Sequence, residues 1–399
     1  MKNNPPIFLT SCFILALAAL ATTAASADTL KVGPNEKFAK PSDAFKLAHP
    51  GDTIEIAPGS YPGDVATLST PKLTIRGLGK EPVKIPAAGK NAQGKAIWVA
   101  AASDLTIENI EFSGARVPDR NGAGIRVEAP NLSIRNCRFI DCEDGILGGN
   151  GDLLIEHCTF DHCGPVANPA THSVYISDRC TKLVFQYNYS TFSIEGHLLK
   201  TRAKESWILY NRLADEKGTG SAVADFPNGG YVVMIGNILQ KGTNAQNTRV
   251  IAYGMEGIKH TNNALFVINN TMVYENHRSG AFFVNVQKTP ADFTPIIRNN
   301  LCVGTIPLTN SPKFDATNNL LLKTVGEAHF VDPEKFDYHL KPDSPALDKA
   351  AAPGKAGDFD LTPKFQYLHP AQSEARPLLA PLDLGAYEWT KSPARHSDP

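Results

Sequence analysis

A short apolar pattern recurs along most of this chain and limits what it can fold into. An aliphatic or aromatic residue, a spacer and a second apolar residue are followed by Asn or a similar turn residue, then by further apolar positions. Examples are Leu105-Thr-Ile-Glu-Asn-Ile-Glu-Phe112, Leu132-Ser-Ile-Arg-Asn-Cys-Arg-Phe139 and Leu153-Leu-Ile-Glu-His-Cys-Thr-Phe160, with later copies at Val233–Leu239, Leu265–Asn270 and Ile296–Leu301. A second short strand lies between copies, as in Gly124–Val127, His172–Ile176, Gly196–Leu199, Ser221–Asp225 and Val250–Tyr253. The intervals run from 21 to about 32 residues, with no helical pattern between them. One such unit cannot bury its own apolar face, so successive units must stack on a shared core. Short strands, a period in the twenties and recurrent Asn turns predict an all-β chain wound as a parallel β-helix. A leucine-rich repeat would need a fixed leucine spacing that is absent here.

The ends differ from the repeats. Residues 1–27 read as a secretory signal, with Lys2, an apolar run from Ile7 to Ala21, and a small-residue site at Ala25-Ser-Ala27. The mature protein is then expected in the periplasm or outside the cell. The helical domain is placed at 28–325. A short amphipathic helix beginning near Ser42, with Ala44, Phe45 and Leu47-Ala48 as its apolar patch, is expected to plug the open end. Residues 326–399 are proline-rich and read as an extended tail that packs along the helix and closes its C-terminal end. Its last ten residues are expected to be disordered.

A formal net charge of −1 argues against a general nucleic-acid or membrane-surface binder. No run after residue 27 is apolar enough to span a bilayer. The cysteines of Asn136-Cys-Arg-Phe-Ile-Asp-Cys142 recur 21 residues later in His157-Cys-Thr-Phe-Asp-His-Cys163. Strands stacked about 4.8 Å apart would bring Cys137 near Cys158 and Cys142 near Cys163, either as disulfides or as ladders of buried thiols.

The most chemically loaded stretch is Glu195-Gly-His-Leu-Leu-Lys-Thr-Arg-Ala203. In a strand, alternate side chains share a face, so Lys200 and Arg202 point the same way and Leu199 the other. Neighbouring coils add His172 and Tyr175 before this stretch, and Asp225, Asn228, Tyr253 and Glu256 after it. His197 is either a functional group or a buried, hydrogen-bonded one. His157 and His162 occupy repeat positions filled elsewhere by Asn136 and Asp141, and read as structural.

Together, Pro50-Gly-Asp-Thr-Ile54, the Asn-bearing coils and the closing Leu340-Lys-Pro-Asp-Ser-Pro-Ala346 and Asp383-Leu-Gly-Ala-Tyr-Glu388 resemble the right-handed parallel β-helix proteins of the pectate-lyase-like superfamily. Within it, the Glu195-x4-Lys200 spacing is similar to the family of alginate lyases and chondroitinase B. That resemblance implies Lys200 as a base and Glu195 as a calcium ligand. A second acid would be expected at 193, which is Ser193. An arginine would be expected about one coil later, in place of Ser221 to Asp225, so Arg202 or Arg212 would supply that charge.

β-Elimination on a uronate needs a cation on the carboxylate, an unprotonated base and a donor for the leaving oxygen. Lys200, Arg202 and either Tyr175 or His172 could fill these roles, with an acidic polysaccharide as substrate. Two other functions fit the same scaffold. One is a glycoside hydrolase working through Asp225 and Glu256; the other is a carbohydrate-binding protein without catalysis.

Overall fold

The computed structural model describes Met1, residues 27–164 and residues 171–391. Most of the expected signal segment and the final residues from 392 lie outside the described residues. No helix among those described is long and apolar enough to cross a membrane.

The chain winds through three long sheets of twelve, ten and nine strands, all parallel within each sheet. Each recurrent sequence unit bends at one corner residue, often Asn, into two strands. Leu105–Glu108 belongs to the twelve-stranded sheet and Ile110–Ser113 to the ten-stranded one, with Asn109 between them at φ 58°. Asn136, His157, Tyr187, Tyr210, Asn269, Asn299 and Asn318 take the same left-handed conformation at the equivalent corner. Asn is enriched there because it tolerates that backbone.

The position after this corner forms a second ladder, inside the molecule. Asn188, Asn211, Asn237, Asn270 and Asn300 are completely buried. Each side-chain oxygen from Asn211 to Asn300 accepts the backbone N–H and the side-chain N–H of the asparagine one coil before. Cys137 and Cys158 occupy this position in the earlier coils. All six cysteines among the described residues are buried free thiols, so the ladder alternative holds and the disulfides do not form.

Inward positions fill the core with an aromatic column. Trp98, Phe112, Phe139, Phe160 and Phe185 follow one another at centroid distances of 4.9, 5.5, 4.9 and 6.0 Å. The helix Pro41–Phe45 adds Phe45 edge-on to Trp98 at 5.1 Å, which caps the column. This helix is shorter than expected, and Leu47 lies beyond it and is exposed. At the other end Ile306 and Leu308 pack on the core.

The tail runs along the flanks. Phe330, Tyr338, Leu340, Tyr367 and Tyr387 cover Val273, Leu301 and Val303 of the ten-stranded sheet, and Ala356 and Leu361 cover Val233, Ile235 and Phe266 of the twelve-stranded one. A fully buried Arg376–Glu388 pair at 2.9 Å locks it, with Arg376 also donating to the carbonyls of Asp383 and Gly385. Two sheets therefore have outer faces occupied by the tail. The nine-stranded sheet keeps its own.

Candidate active site

The outer face of the nine-stranded sheet presents one residue per coil in strict register. Val99 pairs with Arg126, Arg126 with Leu147, Leu147 with Tyr175, Tyr175 with Lys200, Lys200 with Asp225, and Asp225 with Ala252. At the N-terminal side this row is covered, because Val99 and Leu147 are buried with Ala92. Arg126 lies between them, and the continuous polar part begins at Tyr175.

Lys200 lies in the strand Leu199–Thr201, with Leu199 and Thr201 buried beneath it. Its Nζ is 3.0 Å from Glu256 Oε1 and 3.9 Å from Asp225 Oδ2. Arg202 follows the strand on the same side. Its Nη2 is 2.7 Å from Glu256 Oε2, its Nε donates to the Tyr175 hydroxyl oxygen at 2.9 Å, and its Nη1 donates to Asn228 Oδ1. The guanidinium also lies over the Tyr175 ring, 5.8 Å from its centroid. Lys200, Arg202, Tyr175 and Glu256 thus meet at one place, although Glu256 is 56 residues from Lys200.

The two histidines form a ladder at the edge of this cluster. His172 and His197 stack at 4.7 Å, nearly parallel. Asp144 Oδ1 accepts the His172 amide, His172 Nδ1 accepts the His197 amide, and His197 Nδ1 accepts the Ala222 amide. Because Nδ1 accepts in both rings, the proton of each neutral imidazole is on Nε2. The His197 Nε2 faces Asp225 Oδ2 at 3.4 Å. Gly196 is needed here, since a Cβ would fall 2.1 Å from the Thr171 carbonyl oxygen.

Burial dominates the electrostatics. It pushes His172 down to about 3, aided by Lys200 and Arg202, and holds His197 well below its usual range. Burial lifts Asp225 to about 6, against the pull of Lys200 and Arg249. Its Oδ1 has no hydrogen-bond partner. Glu256 moves the other way: burial raises it, but hydrogen bonds and charge from Lys200 and Arg202 outweigh that and hold it low.

Asp225 gives a direct pH prediction. Its folded pKa is raised, so its stabilising contribution is complete below the unfolded value near 4 and is lost as pH rises through about 6. Relative to the parent, Asp225→Asn should gain about 2–3 kcal/mol of unfolding free energy between about pH 4 and pH 7. Denaturant melts at both pH values check this; an unchanged gap would mean the buried carboxylate is not strained.

Several expectations need correction. Tyr253 does not face the cluster. It is fully buried, stacks on Phe293 at 5.0 Å and donates its hydroxyl to the Gly230 carbonyl at 2.8 Å. The register that puts Ala252 beside Asp225 turns Tyr253 inward with Phe226. Asn228 is also buried, and braces Arg202 and the Gly257 carbonyl instead of lining a surface. Arg212 belongs to the ten-stranded sheet, where it binds Glu216 and the Phe336 carbonyl.

Calcium does not fit the donor set around Glu195. No three His, Cys, Asp or Glu side chains among the described residues gather to hold a metal ion. Ser193, where a second acid would be expected, is turned to the Gly196 carbonyl.

Two residues near the cluster were missed in the sequence. Arg249 opens the strand Arg249–Tyr253 and biases both His197 and Asp225. His260 Nε2 lies 3.0 Å from the Arg202 carbonyl oxygen. Arg249 could have been flagged as a cation at the head of a strand one coil beyond Asp225; His260 carries no such pattern.

A family model described as "Right handed beta helix region" matches residues 89–199. No curated protein matches the sequence. Among solved structures, the pectate lyase Pel9A is similar at 15% identity, over 92% of this chain and 97% of that one, with a TM-score of 0.57. The alginate lyase AlyGC of family PL6 aligns at 17% identity over 74% of this chain and 40% of its own, with a TM-score of 0.41. An alginate lyase from a Paenibacillus species aligns at 14% identity over 74% and 99%, with a TM-score of 0.40. At 15% identity the likeness to Pel9A is one of fold. The chain has a right-handed parallel β-helix fold.

Proposed function

We propose that this protein is an exported polysaccharide lyase that cleaves a uronate-containing glycan by β-elimination. The observation that carries the reading is the Lys200–Arg202 pair. Both cations converge on one carboxylate position, beside the Tyr175 hydroxyl, on the sheet face that the tail leaves open. In this mechanism Arg202 takes the uronate carboxylate, and so makes the adjacent C–H proton more acidic. Once Lys200 has given up its ammonium proton to solvent, its neutral amine removes that proton. Asp225, 3.9 Å away and ionised above about pH 6, offsets the positive charge that then forms on the amine.

Tyr175 is the donor to the leaving oxygen. Its own oxygen already accepts from Arg202 Nε, so its O–H proton is free to be given. Tyr175 and Lys200 are register partners on adjacent strands, about 4.8 Å apart, so both reach the sugar from one side. His172 is less suited to the donor role, because burial keeps it neutral and its Nδ1 is used by the His197 amide. Activity should fall as pH drops below about 6, where Asp225 takes up a proton.

The hydrolase reading asks for two carboxylates at the glycosidic bond. Asp225 is buried and Glu256 is bound to two cations, which favours the lyase. Purified protein incubated with a panel of acidic polysaccharides should generate the near-ultraviolet absorbance of an unsaturated uronate. New reducing ends without that absorbance would mean a hydrolase. Binding without any product would mean a carbohydrate-binding protein.

A further inference from the structure

The acidic member of the cluster is built differently from the cations. Lys200 and Arg202 side chains are 12% and 16% exposed, on or just after a strand, whereas Glu256 is 45% exposed. Glu256 stands on the turn after the strand Arg249–Tyr253, between Gly254 at φ 75° and Gly257 at φ 98°. Its backbone is fixed, since Glu256 N–H donates to the Pro227 carbonyl and Gly257 N–H to that of Gly254. Its side chain reaches back over Ala252 and Asp225 to span the two cations with one oxygen each, at 3.0 and 2.7 Å. Lys200 and Arg202 are therefore held by the sheet, Tyr175 and Asn228, while the carboxylate can leave by rotation about its own side-chain bonds.

We infer that Glu256 is an internal stand-in for the substrate carboxylate, occupying the Lys200–Arg202 site until a uronate displaces it. The inference rests on the lyase reading for its kinetic form, but its binding form needs only that the site takes a sugar carboxylate. It makes Glu256 a specificity-determining residue. A neutral sugar cannot compensate two cations that have lost their carboxylate, so only a carboxylated ring can exchange with Glu256 at small net cost.

Glu256→Gln tests this, with Glu256→Ala as a second variant. A surface-screened pair of contacts implies a KM about three- to tenfold lower for the polyuronide in either variant, with kcat moving less than KM. A fall in kcat with KM unchanged would overturn the inference and make Glu256 a catalytic or positioning group. Binding by calorimetry separates this from the lyase reading, using D-galacturonate, D-glucuronate and D-glucose as probes. Tighter uronate binding by Glu256→Gln, without a gain for glucose, supports the inference even if no polymer is cleaved. Equal uronate affinity in parent and variant overturns it even if the lyase activity is real. A gain for glucose also overturns it, and no uronate binding by either protein overturns both.

Discussion

Replacing Lys200 with Ala should lower kcat about a thousandfold on whichever acidic polysaccharide is cleaved, while KM changes much less. General-base catalysis contributes about 10²–10⁴-fold, and the amine is the group placed to take the proton. The decisive comparison is Lys200→Arg. Arginine keeps the positive charge and can still reach Glu256, but its guanidinium does not deprotonate in proteins. If Lys200 is the base, the Arg variant should be as inactive as the Ala variant. Substantial activity in Lys200→Arg would mean that Lys200 serves only as a charge, and would move the search for the base to Asp225. Both variants should fold normally, because Leu199 and Thr201, not Lys200, hold the strand to the core. Arg202 would still hold Glu256 in the Ala variant.

Asn237→Ala should be the most damaging substitution away from the cluster, lowering unfolding free energy by about 3–5 kcal/mol. The side-chain oxygen of Asn237 accepts from both Asn211 N and Asn211 Nδ2 at 2.9 Å, and its Nδ2 donates to the Ile208 carbonyl at 2.8 Å and to Asn270 Oδ1 at 2.9 Å. Nothing in this ladder touches solvent. Truncation strands two donors of Asn211 and leaves Ile208 without this side-chain donor, at about 1–3 kcal/mol for each group left unsatisfied. Denaturant unfolding midpoints measure the loss. The exposed Asn244 is the control: its side chain makes one surface bond, to the Lys217 carbonyl, and Asn244→Ala should change stability by less than about 0.5 kcal/mol. Equal effects at the two positions would mean that the buried ladder contributes no more than a surface amide.

The same ladder illustrates how far the sequence could be read. Asparagine recurs because it suits the left-handed corner and, in the later coils, the buried position just after it, and both positions are set within one coil. The pattern therefore exposed the strands, the corners and the stacking. It did not separate the two roles: in Leu105–Phe112, Asn109 is the corner of two strands belonging to different sheets, not a turn closing one unit. The Cys137/Cys158 and Cys142/Cys163 repeat was legible as stacking, but spacing alone cannot distinguish a thiol ladder from disulfides.

The site was legible only in part. Strand alternation determined that Lys200 and Arg202 share a face with Leu199 opposite, because period-two geometry needs no other coil. The same alternation turns Tyr175 outward, since Val174 and Ile176 on either side are core residues. Tyr253 failed because its facing depends on how one coil sits on the next. With Ala252 the register partner of Asp225, the small residue takes the outer row and the tyrosine fills the core. Likewise, the meeting of Glu256 with Lys200 and Arg202, and the effect of Arg249 on Asp225, depend on coil lengths that vary along the chain.

The sequence by itself determined the coil: apolar alternation, corner residues and the need to stack are set by each residue's own geometry and hydrophobicity. The tertiary structure alone decided which charges meet, which carboxylate is buried and which sheet face stays open. Those outcomes arise from inter-coil register and from where the tail lies, and both are long-range packing choices with no local sequence period.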